Sequence, residues 1–237
     1  MQQFDFIRAV FEFVILIFSL CVHECAHAWM ASRLGDQTAR LEGRITLNPM
    51  YHVDPIGTLL FPGLMIFGPL FGLSMFGGML VGWAKPTPVI TRNFRKIVRD
   101  DNLTTLAGPA SNLLLVAVAF IVLLIDARVV PNGHSVVLGS FIAALERVEG
   151  FTPQPVALLC ALAILIKLML CIFNLLPIPP LDGSRLMRNI LPYNAVQVYD
   201  RIPFWVSYLL MIFVGGMIIH AFVSPAINLV LWGLLHI

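Results

Sequence analysis

Charge is scarce in this sequence. Asp, Glu, Lys and Arg make up 12% of 237 residues, about half the share of an ordinary soluble domain. With 59% hydrophobic residues and a mean hydropathy of +0.88, a soluble globular chain is excluded and an integral membrane protein is expected. An excess of one charge sign is also missing. The net charge of +2 makes no case for a nucleic-acid partner, and the partner the composition implies is the lipid bilayer. Cysteine is sparse: Cys21, Cys25, Cys160 and Cys171 all lie in apolar runs, which argues for small buried thiols and against a disulfide framework. Alternating ten-residue segments are lacking too, so long apolar runs broken by Gly and Pro predict a helical bundle and not a membrane barrel.

Within the first apolar run, residues 21–30 read Cys-Val-His-Glu-Cys-Ala-His-Ala-Trp-Met. An ionisable residue costs about 2.5–3.5 kcal/mol at the centre of an inserted helix, so several together demand a compensating role. On a helix His23 and His27 share a face and can reach one metal ion, with Glu24 beside it. This H-E-x-x-H spacing is that of zinc hydrolases, in which the glutamate acts as general base. A soft-metal set of Cys21, His23 and Cys25 fits the chemistry less well, because it leaves Glu24 unused. Arg8, the apolar run and Ala26-His27-Ala28 also mimic a cleavable signal. Cleavage there would split the motif, so an uncleaved first span is expected.

Spans are expected at about Ala9–Ser32, Leu103–Ile125, Pro155–Leu176 and Ile202–Val223, followed by a short apolar tail from Pro225. Residues 39–47 alternate well enough for a short strand, and the proline-rich 82–90 stretch suits an edge strand. A short amphipathic segment is expected around Val137–Leu145. Residues 56–83 are apolar but crowded with Gly and Pro, and either cross once, distorted, or enter and return as a re-entrant hairpin. Basic residues decide between these. With a return, one face collects Arg33, Arg40, Arg44, Lys85, Arg92, Arg95, Lys96, Arg99, Arg185, Arg188 and Arg201, and the other keeps Arg8, Arg128 and Arg147. That asymmetry favours the hairpin and a cytoplasmic location for the first face. It also brings His23, His27 and Asp182 to one depth.

A catalytic zinc takes three protein ligands, so two histidines need a third group. The candidates are His52, Asp54, His134, Asp182 and His220. Asp182 is favoured, because the proline-broken backbone Pro177-Ile-Pro-Pro-Leu-Asp182-Gly183 can carry a carboxylate back into the bundle. A plain turn at Asp182-Gly183 is the alternative reading. His52 and Asp54 read as loop or capping residues, Gly108 and Ala110 as small residues for close helix packing. Trp83, Trp205 and Trp232 suit an interfacial belt, and Lys167 carries no assigned role.

His23-Glu24-Cys25-Ala26-His27, Ala107-Gly-Pro-Ala-Ser-Asn112 and Asn174-Leu-Leu-Pro-Ile-Pro-Pro-Leu-Asp182-Gly183, in that order, resemble the site-2 protease family of intramembrane zinc metalloproteases. The resemblance covers residues 10–190 and is closest to the compact bacterial branch, without an inserted PDZ or CBS domain. It implies one zinc ion held by His23, His27 and Asp182, with Glu24 as base. Asn174 is implied at the substrate or oxyanion, and Asn112 as a substrate-side polar group. The expected architecture is an all-α polytopic membrane protein, a site-2 protease-like bundle with short β segments and a re-entrant segment. It forms a single membrane-embedded metalloprotease domain over 1–237, with a core at 9–192 and an additional C-terminal helical region at 202–237. Its expected substrates are transmembrane segments of membrane proteins, and its expected place is the cell membrane with the site open to the cytoplasm. The alternative from another class is a metal-ion transporter using the same cluster as a transit site, although no internal repeat is evident.

Overall fold

The computed structural model describes residues 2–73, 82–146 and 151–236, apart from the side chains of 2–4, 204, 208, 211–216 and 218–220. Arg147, Glu149 and the 74–81 part of the hairpin stretch therefore lie outside the described residues. Three of the described helices are long and apolar enough to cross a membrane. The first, α1 (Gln2–Leu34), carries Asp5 in its first turn and Arg33 in its last, signs that complement the helix dipole. At 1.5 Å per residue it is about 50 Å long, which exceeds a bilayer core of about 30 Å. Gly35 ends it at φ +121°, and a Cβ there would meet the Asn93 carbonyl.

Residues 39–47 form no strand; a helical turn, α2 (Thr38–Leu41), begins the stretch. Asp36 overrides the alternation by accepting from both Thr38 N (3.1 Å) and Thr38 Oγ1 (2.6 Å), which closes a local side-chain turn in place of an extended start. Gly43, at φ +72°, then turns the chain, as only glycine does readily. Two buried side chains fill the loop with hydrogen bonds to its own carbonyls, Arg44 to Tyr51 and His52 Nε2 to Thr46 (2.8 Å).

The described ends of the Gly/Pro-rich stretch, residues 55–73 and 82–83, are those of a hairpin. Asp54 caps its start by accepting from Ile56 N and Gly57 N, and a wide turn at Pro55–Leu60 leads into α3 (Phe61–Phe67). Phe67 packs on Phe6 and Phe13 near the opposite end of α1. The chain then comes back, because Trp83 N donates to the Gly57 carbonyl (3.1 Å) and Thr58 Oγ1 donates to the Trp83 carbonyl (2.7 Å). A Cβ on Gly57 would strike the Trp83 indole, so the two ends of the hairpin are packed on each other.

Helix α4 (Ile97–Val129) is capped where Lys96 N donates to Asp100 (2.8 Å). The expected amphipathic segment is a longer and more buried helix, α5 (Gly133–Leu145). It packs beside α6 (Pro155–Asn174), whose cap is the Gln154 side chain. Beyond the prolines come α7 (Asp182–Ile190) and α8 (Tyr193–Tyr199). The expected fourth span and separate tail are one helix, α9 (Phe204–Leu235), running through Pro225. Neighbouring helices make a proline tolerable in such surroundings. Here Ile227, Val230, Leu231 and buried Leu234 hold the distal half on a core that includes Leu123, Phe141, Leu158 and Ile164.

Arg8 pairs with Glu12 (2.8 Å) and donates to the carbonyls of Ala143 and Ala144. The start of α1 therefore lies beside the end of α5, far along the bundle from the H-E-x-x-H residues.

Candidate metal centre

The histidines sit one turn apart on α1, facing α4. His23 Nε2 and His27 Nε2 are 3.0 Å apart. Asp182 Oδ2 is 3.0 Å from the first and 3.3 Å from the second. Three potential ligand atoms thus meet within 4.8 Å of one another, the one such group of three or more among the described residues. His27 Nδ1 donates to the Thr104 carbonyl (2.7 Å). A carbonyl can only accept, so His27 carries its proton on Nδ1 and turns a bare Nε2 toward the cluster. Asp182 Oδ2 is itself buried without a hydrogen-bond donor. His27 Nε2 and Asp182 Oδ2, 3.3 Å apart, are both acceptors and repel each other unless a cation sits between them, and two imidazoles with a carboxylate are a zinc donor set.

The backbone explains how these groups meet. Asp182 is the first residue of α7, where helix polarity favours a carboxylate. A Cβ on Gly183 would run into the Leu175 and Leu176 carbonyls, so α7 starts directly against the end of α6. Arg185 and Asn189 tie α7 to Asp101 of α4. Gly108 lies against the imidazoles, and a Cβ there would meet His27 Nε2 and His23 Cε1. The close packing read from the sequence at Gly108 is packing onto the two imidazoles.

Glu24, beside the histidines on α1, meets the 82–90 stretch at Thr87. Its Oε2 accepts from Thr87 N (3.0 Å) and Thr87 Oγ1 (2.8 Å). Pro86 and Pro88 flank Thr87 and have no N–H, while Lys85 N is spent on the His52 carbonyl and Ile90 N on Asp36. These residues form no strand, and the outward side at 86 and 88 offers a pairing chain carbonyls only. Asp36 also accepts from Asn93 Nδ2 (2.9 Å), and Arg95 N reaches the Leu34 carbonyl. The strap is therefore pinned on both sides of Thr87.

Among the other sequence candidates, Asn112 is fully buried, with Nδ2 3.3 Å from His23 Nδ1. Asn174 ends α6, and its amide donates to its own helix at the Leu170 carbonyl (2.9 Å). His52 and Asp54 serve the loop as described, and His134 Nε2 contacts the Leu234 carbonyl (2.9 Å). The His220 side chain lies outside the described residues. All four cysteines are free thiols. Lys167 donates to Ser19 Oγ (2.8 Å) under the Phe18 ring. Thr87 and Thr104 were missed at the sequence level, since nothing in their spacing from the motif announces a contact made through folding.

The sequence profile described as peptidase family M50 matches residues 11–214. This chain belongs to peptidase family M50. It is 34% identical over 94% of its length, and 84% of the relative's, to "Putative zinc metalloprotease YwhC" of Bacillus subtilis. The proteins of the same description named Rip2 are 33% identical in Mycolicibacterium smegmatis, over 70% of this chain and 52% of theirs, and 29% identical in Mycobacterium tuberculosis, over 87% and 68%. No solved structure matches. The M50 membership bears out the site-2 protease resemblance: the chain is a membrane zinc metalloprotease, and its fold is the all-α polytopic bundle expected.

Proposed function

We propose that this M50 protein hydrolyses peptide bonds in or beside transmembrane segments of other membrane proteins, from a site open to the cytoplasmic side of the cell membrane. One observation carries the reading: the ligand atoms of His23, His27 and Asp182 converge within 4.8 Å of one another at a membrane-length helix that carries both histidines and Glu24. These three residues would hold the zinc. Bound there, zinc supplies Lewis-acid chemistry, acidifying water and polarising a peptide carbonyl.

The chain's own residues do the rest. Glu24 takes a proton from the attacking water and returns it to the leaving amine nitrogen. Thr87 occupies Oε2 of that carboxylate, so Oε1 is the oxygen free for the proton. The Asn174 amide donates to the oxyanion after giving up its bond to Leu170. A helical substrate has its carbonyls tied up internally, so it is unwound locally before it reaches Glu24.

The distal half of α9 packs on the core of α4, α5 and α6, which supports reading residues 1–237 as a single domain. The cytoplasmic assignment rests on the basic residues that gather with the strap and α7. Comparative membrane proteomics of wild type against Glu24→Gln tests the reading. A membrane protein that accumulates uncut in the variant is expected. Identical membrane proteomes, with the wild-type protein present and zinc-loaded, would overturn it.

A further inference from the structure

Asn112 lies on α4 one turn beyond Gly108, fully buried, and Oδ1 of its amide has no donor within reach. Its Nδ2 lies 3.3 Å from His23 Nδ1. The two ends of an amide are exchangeable in such a placement, and the hydrogen-bond network decides which is which. With nitrogen toward the ring, His23 would have to accept on Nδ1 and carry its proton on Nε2, aimed at Asp182 and His27. With oxygen toward the ring, His23 Nδ1–H donates to Oδ1 and a bare Nε2 faces the cluster. The second arrangement moves the unpartnered oxygen onto a donor. It also gives His23 the same form that the Thr104 carbonyl imposes on His27.

We propose that Asn112 is a positioning residue for His23: its side-chain oxygen accepts from Nδ1–H, fixing the ring's tautomer and rotation so that Nε2 is presented to zinc. This inference rests on the zinc reading of His23, His27 and Asp182. It removes Asn112 from the substrate side, where its sequence motif placed it. An outer partner of this kind raises the basicity of a ligating imidazole and holds its plane. Asn112 is suited to it by being enclosed, at 0% exposure.

The test measures zinc affinity of the full-length protein in detergent by competition with a chromophoric chelator. Asn112→Leu should bind zinc about 10–100-fold more weakly, while Asn112→Asp, which offers acceptor oxygens alone, should recover most of the loss. In the cleavage assay KM for substrate should stay at the wild-type value in Asn112→Asp. Wild-type zinc affinity in Asn112→Leu, or equal weakness in the two variants, would overturn the proposal. If neither variant folds, nitrogen NMR of histidine-labelled, zinc-free wild type decides. A His23 signal protonated at Nδ1 is expected, and one protonated at Nε2 overturns the assignment. Wild type that binds no zinc while showing the Nδ1-protonated His23 would sink the zinc reading and leave the Asn112 contact standing.

Discussion

Thr87 donates its backbone N–H and its hydroxyl to the same oxygen of Glu24, at 3.0 and 2.8 Å. The donor stands 63 residues from the acceptor, on a strap whose flanking prolines leave Thr87 as the lone backbone donor from 86 to 88. A carboxylate held this way keeps one rotamer and one free oxygen. Thr87→Val removes the hydroxyl and spares the N–H. A hydrogen bond to a charged group contributes about 1.5–3 kcal/mol, so kcat should fall about tenfold or more with KM unchanged. Thr87→Ser should restore most of it. Steady-state cleavage of a transmembrane substrate by the three proteins checks this, and an unimpaired Thr87→Val would remove the hydroxyl from the account.

Gly108 is the second target. Alanine is the better helix former by about 1 kcal/mol, so Gly108→Ala should not unfold α4. Its methyl, however, would occupy the space of the two imidazoles. The expected variant is a folded, helical protein that purifies with little zinc, as read by circular dichroism and metal analysis of one sample. Full zinc occupancy would show that the ligands move aside at no cost.

Asp36 makes the strap sensitive to acid. Burial disfavours its charge, but the hydrogen bonds from Thr38, Asn93 and Ile90 outweigh burial and hold its pKa below the ordinary value. A carboxyl depressed on folding contributes stability that is present above its unfolded pKa, about 3.9, and lost as pH falls through the folded value. The protection of residues 84–95 against hydrogen exchange, taken relative to the intrinsic amide rate at each pH, should therefore be high at neutral pH and fall at strongly acidic pH. In Asp36→Asn that acid step should be missing and protection should be lower throughout. An acid step retained in Asp36→Asn would assign it to another group.

The hairpin makes a topological prediction. Gly57 and Trp83 are hydrogen-bonded to each other, so the loops before and after must emerge at one membrane face. Single cysteines at exposed Leu41 and Arg92, in a chain lacking the four native thiols, should both be labelled from the cytoplasmic side by an impermeant reagent. Labelling from opposite sides would contradict both the hairpin and the common depth of His23 and Asp182.

What the sequence made legible was chemistry with a local signature and topology with a charge signature. His23 and His27 declare themselves by spacing on one helix, and the hairpin by its glycines, prolines and the basic residues around it. Asp182 needed the proline-rich motif, because a carboxylate more than 150 residues away has no periodic relation to the histidines. The strand expected at 39–47 is the instructive miss. Alternation there competes with Asp36, a side chain whose hydrogen bonds to Thr38 close a local turn, and a short apolar alternation yields to it. Pro225 misled in the opposite sense: its missing donor marked a helix end, yet the apolar face beyond it buries Leu234 and keeps the helix going. The contacts of Thr87, Thr104 and Asn112 were out of reach for a different reason. Each depends on which faces of separate helices meet, and that is decided by packing.

The most direct test of the account uses purified protein reconstituted into liposomes with a transmembrane substrate, comparing wild type with Glu24→Gln. Glu24 is assigned to proton transfer and not to the metal, so the variant should keep about one zinc per chain and lose cleavage by several orders of magnitude. A variant that still cleaves, or a wild-type protein that moves zinc across the membrane and cuts nothing, would contradict it.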